Sequence, residues 1–275
     1  MALPAMSHSS DYVIRGGLEG RERLRVLGRV MHASAVALFE RCGLGDGMVC
    51  LDAGCGGGDA TLEIARRVAP AGRVVGIDID AEKVRIAREE GERQHIANVE
   101  FRVASAADPV GPAFDVVHAR FLLTHLRDPA GTLDAFRRQL RPGGLLIVQD
   151  IELSAQFACP PSLALRRHQE LYRAAVKRRG ADPDIGPRLP ALLTQAGFDG
   201  VEVAVVQPVG LAGEAKSIAA LTMENIADAV LAEGLASHAE IDYLAQQLHE
   251  LAADPTTLTG MPRVFQVWGR RGAKD

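Results

Sequence analysis

The sequence predicts an α/β fold built on a mostly parallel sheet with helices packed on both faces. Two observations carry that expectation. From residue 48 to residue 150, short apolar runs alternate with helical segments, as parallel strands joined by helical crossovers require. Turn formers then punctuate the alternation where elements must change over: Gly54 to Gly58, Pro70 with Gly72, and Pro142-Gly143-Gly144. A length of 275 residues suits one large domain with additions, or two small ones.

The elements follow in order. Leu24, Leu27, Met31 and Leu38 recur at helical spacing and predict an amphipathic helix over 18–42. Met48 to Asp52 reads as a buried strand, and 59–69 as a helix stopped by Pro70 and Gly72. Val74, Val75 and Ile77 mark a second strand over Arg73 to Asp78; Asp80 is a good N-cap for a charged helix reaching about His95. Val99 to Val103 and Phe114 to Ala119 are the third and fourth strands. A helix is expected over Leu122 to Leu140, a turn at Arg141 to Gly144 and a fifth strand at Leu145 to Gln149. Arg188 to Gly197 reads as a helix, with further strands at Val201 to Val206 and Arg263 to Trp268. Residues 155–185 and 211–258 break the alternation as insertions with helical patterning, for example Ile241, Leu244, Leu248 and Leu251. Each leaves from the carboxyl edge of the sheet, where open α/β sheets bind ligands, so both are expected to form helical lids over a site. The expected organisation is an N-terminal cap helix within 1–47 and an α/β domain over 48–275 carrying the two insertions.

Composition narrows the partners. A formal net charge of −4 gives no electrostatic reason to expect nucleic acid. No apolar run reaches the roughly 18–20 residues that span a bilayer, so no membrane association is expected. Met1 to Asp11 lacks the charged-then-apolar order of a signal peptide and reads as a frayed tail. Cys42, Cys50, Cys55 and Cys159 show no paired spacing, so neither a disulfide framework nor a metal site is expected, and a cytoplasmic setting fits. The oligomeric state stays open, with a homodimer among the alternatives.

Chemistry begins at Leu51-Asp52-Ala53-Gly54-Cys55-Gly56-Gly57-Gly58-Asp59, between the first strand and its helix. Glycines here let the backbone turn tightly and approach a ligand. A dinucleotide fingerprint would place glycine at position 59; Asp59 stands there instead, awkward beside a pyrophosphate but tolerable beside a cationic ligand. Asp78 ends the next strand, where an acid can grip a ribose diol. Loop and acid together indicate a nucleoside-containing cofactor.

Residues 49–61, Asp78, Val99 to Ala106, Phe114 to Pro129 and Leu140 to Asp150 resemble, in order and spacing, the successive motifs of class I S-adenosylmethionine-dependent methyltransferases. The resemblance covers roughly residues 48–150. It implies a Rossmann-like, seven-stranded, mostly parallel sheet with an antiparallel last strand, here Arg263 to Trp268 beside Val201 to Val206. It also implies a helical N-terminal cap, S-adenosyl-L-methionine as cofactor and S-adenosyl-L-homocysteine as product. By resemblance, Gly54, Cys55 and Gly56 line the methionine part, Asp78 accepts the ribose hydroxyls and Ile79 packs on adenine. Ser105 stands where the family often has Asp, so its hydroxyl takes the adenine amino group, with the Ala106 amide on a ring nitrogen. Ala119 and Arg120 lie near the sulfonium and methionine tail. Tyr12 and Arg23 close over the cofactor or pair with its carboxylate; the alternative is a surface aromatic and a solvated charge.

Methyl transfer needs an aligned nucleophile, and a base only when the acceptor starts protonated. Candidate bases are His118, His125, His168 and Tyr172. His118 sits within a strand, facing either the site or a flanking helix. His125 resembles a histidine recurrent in the family, with capping or packing as its other use. His168 and Tyr172, four apart, share one helical face. Arg166, Arg173 and Lys177 form a second stripe, read as a solvated face or as contacts to an anionic acceptor. Asp150 and Glu152 either line the acceptor entrance or cap the next segment. His118-Ala119-Arg120-Phe121 stands where enzymes methylating base nitrogens carry Asn/Asp-Pro-Pro-Tyr/Phe. A small-molecule acceptor is therefore expected, methylated on oxygen, nitrogen or carbon, in natural-product biosynthesis. The alternatives are a protein or RNA methyltransferase, a non-catalytic cofactor-binding regulator, and a nicotinamide oxidoreductase.

Overall fold

The computed structural model describes Ile14, residues 20–111 and residues 113–273. Its elements are α1 (Arg21–Arg41), β1 (Val49–Ala53), α2 (Asp59–Val68), β2 (Arg73–Asp78), α3 (Ala81–Arg93), β3 (Val99–Val103) and β4 (Phe114–Arg120). Then follow α4 (Pro129–Gln139), β5 (Leu140–Glu152), β6 (Phe157–Cys159), α5 (Leu163–Arg178), α6 (Leu189–Gln195), β7 (Phe198–Val206) and β8 (Val209–Gly210). α7 (Ile218–Ala232), α8 (His238–Ala253), β9 (Leu258–Gly260) and β10 (Arg263–Arg271) complete the order.

Seven strands form the main sheet in the order β3-β2-β1-β4-β5-β10-β7. β1 to β5 run parallel, and β10 lies antiparallel between β5 and β7. The seven-stranded sheet with its antiparallel last strand is therefore as expected. Alternate residues of each strand feed opposite cores. Cys50, Val74, Val116, Ile147 and Trp268 pack under α1 and α2, against Leu38, Phe39, Ile64 and Val68. Leu51, Val75, Val117, Leu146 and Val267 pack on the other face, against Leu133 and Phe136 of α4 and Leu189 and Leu193 of α6. Burial on both faces explains why these strands read as continuous apolar runs.

The two insertions share a core of their own at the carboxyl edge. Leu171, Tyr172 and Val176 of α5, Met223, Ile226 and Val230 of α7, and Ile241, Leu244 and Leu248 of α8 are all buried together. A small antiparallel sheet, β6-β9-β8, ties their ends. The buried Lys216 ammonium donates to the carbonyls of Leu211, Asp254 and Thr257, fastening the start of the second insertion to its end. The N-terminal half of α1 reaches over the same edge: Val26, Leu27 and Met31 pack against Ile218, Met261 and Val264.

One expected element is corrected. The segment Leu122 to Leu140 is not one helix: a 3-10 turn at Leu123–His125 precedes α4, which begins at Pro129. Phe121 adopts φ +55°, and Asp128 caps the Gly131 amide with Pro129 in the first turn, so the chain restarts rather than continues. β5 also begins earlier than expected, with Leu140 opposite Phe114 before a register shift. Among the described residues no helix is long and apolar enough to cross a membrane.

Candidate active site

A cavity of about 1010 Å³ opens above the carboxyl ends of β1, β2 and β4. At one end lies the β1–α2 loop. Gly54, Gly56 and Gly58 adopt φ of +72°, +53° and +88°, values that disfavour any side chain, and the loop curls so that its backbone faces the cavity. The Cys55 amide donates to the Ile77 carbonyl at 2.8 Å, locking the loop to β2. Burial, with the charges of Asp52 and Asp78, holds the Cys55 thiol well above its ordinary pKa, so it stays protonated.

Asp78 is only 8% exposed, and both its oxygens are oriented by backbone. Oδ2 accepts from the Gly56 amide at 3.0 Å and Oδ1 from the Asp80 amide at 2.9 Å. A carboxylate has about four acceptor positions, so capacity remains toward the cavity. Ile79, 54% exposed, and Val103 form an apolar rim beside it. Ser105 and Ala106 line the same region; the Ser105 hydroxyl accepts from the Ala107 amide at 3.3 Å, and Asp108 joins the lining.

At the end of β4, successive side chains part company. Ala119 points to the α4 and α6 face, is fully buried there and is not among the residues lining the cavity. Arg120 points to the α1 face and lines the cavity near Asp59 and Asp52; burial pulls its pKa down, and those two carboxylates oppose the shift. Asp59 in turn presses on α1, where a side chain at Gly28 would come within 2.8 Å of its carboxyl carbon.

His118 is a correction to the base candidates. It is fully buried beneath α1, edge-on to Phe39 at 5.3 Å, and does not line the cavity. Its Nδ1 donates to Asp52 Oδ1 at 2.7 Å, and its Nε2 accepts from the Gln149 amide at 3.0 Å. Gln149 Oε1 then accepts from Gln266 at 3.1 Å, and Asp52 Oδ2 from the Thr61 hydroxyl at 2.5 Å. One polar chain thus crosses β1, β4, β5 and β10. With both ring nitrogens engaged, His118 orients Asp52, which does line the cavity.

Asp150 and Glu152 are likewise turned away from the cavity. Buried Asp150 accepts from the Thr124 amide at 3.0 Å and from its neighbour Ile151 at 2.9 Å, capping the turn that presents His125. Burial pushes its carboxyl up to about 7. Glu152 pairs with Arg263 at 3.0 Å. Arg166 and Lys177 are exposed and Arg173 pairs with Asp184 at 2.9 Å, so that stripe is a solvated face.

The other end of the cavity lies under the insertions. Ile151, Leu153, Ile218, Met261, Pro262 and Val264 make it apolar, and His168, Tyr172, Gln156, Thr222 and Arg23 supply its polar groups. Arg23 Nε donates to the Thr222 hydroxyl at 2.9 Å, tying α1 to α7. Burial first, then the Arg23 charge, lowers His168 to about 4; burial lowers His125 to about 3, so both rings are neutral near pH 7. The rings of His168 and Tyr172 lie 6.2 Å apart.

Of the sequence-predicted residues, the cavity therefore gathers Arg23, Gly54, Cys55, Gly56, Asp78, Ile79, Ser105, Ala106, Arg120, His125, His168 and Tyr172. It omits His118 and Ala119, and Tyr12 lies outside the described residues. Sequence reasoning missed Gln156, Thr222 and Asp108. Thr222, a hydroxyl in the apolar run Ile218-Ala219-Ala220-Leu221-Thr222-Met223, carried a readable signal; Gln156 carried none.

Residues 44–197, more than half of the chain, match a family model described as a methyltransferase domain. The chain belongs to this methyltransferase family. The chain is 35% identical over 156 residues to an O-methyltransferase of Penicillium expansum, covering 56% of this chain and 52% of that protein. It is 39% identical over 100 residues to nocamycin O-methyltransferase of Saccharothrix syringae, covering 36% of each. The chain spans about half the length of the curated relatives it matches. A solved putative methyltransferase of Bacillus halodurans shares the fold at a TM-score of 0.60 with 17% identity, covering 87% of this chain and 99% of that one. The residues present fit S-adenosylmethionine, the cofactor that the sequence resemblance implies: a backbone-lined loop, a carboxylate with acceptor capacity left and an apolar rim stand side by side.

Proposed function

We propose that this methyltransferase alkylates a small, largely apolar molecule, in natural-product metabolism. The observation that carries this reading is the continuity of one cavity from the glycine loop into an apolar chamber beneath α5 and α7. A chamber roofed by helices suits a molecule that enters whole better than a strand of RNA or a folded protein. The named relatives, both O-methyltransferases, support the same class and favour oxygen as the acceptor atom.

Within that reading, the cofactor supplies an electrophilic methyl group on a sulfonium when bound. Gly54, Cys55 and Gly56 present backbone to its methionine part, Asp78 accepts the ribose hydroxyls, and Ile79 packs on the adenine with Ser105 and the Ala106 amide at its edge. Among the described residues, Arg23, Lys83 and Arg120 are the cations lining the cavity, and the two arginines are the ones we assign to the methionine carboxylate. The helices of the insertions exclude water, which strengthens each polar contact inside. His168 and Tyr172 face the acceptor, with His168 held neutral by burial; His125 lines the same cavity.

Incubation with methyl-labelled S-adenosylmethionine, separately with a small-molecule extract, bulk peptide and bulk RNA, tests the reading. Label is expected in the small-molecule fraction. Label confined to peptide or RNA would overturn it.

A further inference from the structure

Charge divides the cavity sharply. Among the described residues, its carboxylates are Asp52, Asp59, Asp78, Asp80 and Asp108, all at the ends of β1, β2 and β3 where the cofactor binds. From Arg120 onward in the chain, the lining holds no acid. Asp150 and Glu152, the nearest carboxylates in sequence, are committed to a turn and to Arg263. A cationic amine entering the chamber would meet the Arg23 charge and, among the described residues, no carboxylate to offset it.

Two buried polar side chains in the chamber each carry an atom with no hydrogen-bond partner among the described residues. His168 is 1% exposed, and its Nδ1 has no hydrogen bond among the described residues. Gln156 is 9% exposed, and its Oε1 likewise has none. Native proteins rarely leave such groups unpaired, and exceptions call for a ligand or a functional role. Both line the chamber, on the chain segments that enter and form α5.

Building on the small-molecule reading, we infer that the acceptor is an apolar molecule carrying a phenol- or enol-type hydroxyl and a second hydroxyl. One hydroxyl donates to His168 Nδ1 and the other to Gln156 Oε1, the two acceptor atoms left without partners among the described residues. The acceptor oxygen forms its bond to the methyl carbon as the sulfur–carbon bond breaks, sulfur keeping the electron pair, and the hydroxyl proton passes to His168. Burial and the Arg23 charge keep the imidazole unprotonated but weakly basic, so the proton moves to it only as the oxygen gains the methyl group and becomes strongly acidic. The same Arg23 charge favours ionisation of an acidic hydroxyl. Gln156 is thereby a specificity residue and His168 a catalytic one.

Calorimetry on enzyme saturated with S-adenosylhomocysteine tests this with two probes, 2,3-dihydroxynaphthalene and 2-naphthylmethylammonium. The diol is expected to bind at least tenfold more tightly than the ammonium. Gln156→Leu and His168→Asn should each erode that advantage at least fivefold while leaving S-adenosylhomocysteine affinity within twofold. Equal binding of the two probes, binding of neither, or an advantage surviving both substitutions would overturn the inference. Small-molecule labelling by the wild type alongside such a failure leaves the broader reading intact; label confined to peptide or RNA removes that reading itself.

Discussion

The two ends of one cavity are built on opposite principles. At the cofactor end the polar groups are already answered: Asp78 by two backbone amides, Asp52 by His118 and Thr61. At the acceptor end, beneath the insertions, His168 and Gln156 carry atoms that the described protein leaves unanswered. A site that receives the same cofactor in every cycle gains from fixed dipoles, which need no reorganisation when the ligand arrives. Under the proposed function the acceptor end instead keeps its hydrogen-bonding capacity for a ligand, inside walls whose apolar residues suit a largely apolar molecule.

The strongest way to break this comparison is to disturb the polar chain beneath the cofactor end. His118→Leu removes one of the two side-chain partners of Asp52 and leaves the Gln149 amide N–H unpaired beneath α1, which should cost about 1–3 kcal/mol in urea unfolding. Unchanged stability would mean that Asp52 is oriented some other way.

A smaller effect sharpens the boundary between the two ends, at Asp150. Its folded pKa of about 7 lies above the ordinary carboxyl value of 3.8, so the folded state prefers the protonated form. Its contribution to stability is full below about pH 3.8 and is lost as pH rises through about 7. Asp150→Asn stays neutral throughout. The melting temperature of wild type minus that of the variant should therefore fall between pH 5 and pH 8; a flat difference would show that Asp150 does not titrate there.

Legibility in the sequence differed between the ends for physical reasons. The loop, Asp78 and the strands were readable because each depends on local features: glycines where φ must be positive, an acid at a strand end, and apolar runs where both faces are buried. The role of His118 was not, because it depends on which face of β4 lies under α1 and on Gln149 and Gln266, 31 and 148 positions further along the chain. The same alternation that sends Arg120 to the cavity sends Ala119 into the core, and a one-residue choice of face cannot be made from a strand buried on both sides. The break before α4 was signalled by Asp128-Pro129, a cap followed by a residue suited to the first turn, yet the apolar Leu122, Leu123 and Leu126 read as a continuous helix. Gln156 was silent, since a single amide after a strand has no pattern.

The most direct test of the claim that the glycine loop and Asp78 form the cofactor end is a calorimetric titration of wild type and Asp78→Ala with S-adenosylhomocysteine. Removal of the carboxylate should weaken binding by roughly 1–3 kcal/mol, the cost of leaving hydrogen-bonded polar groups without their partner. Equal affinity in a folded Asp78→Ala protein would contradict the assignment.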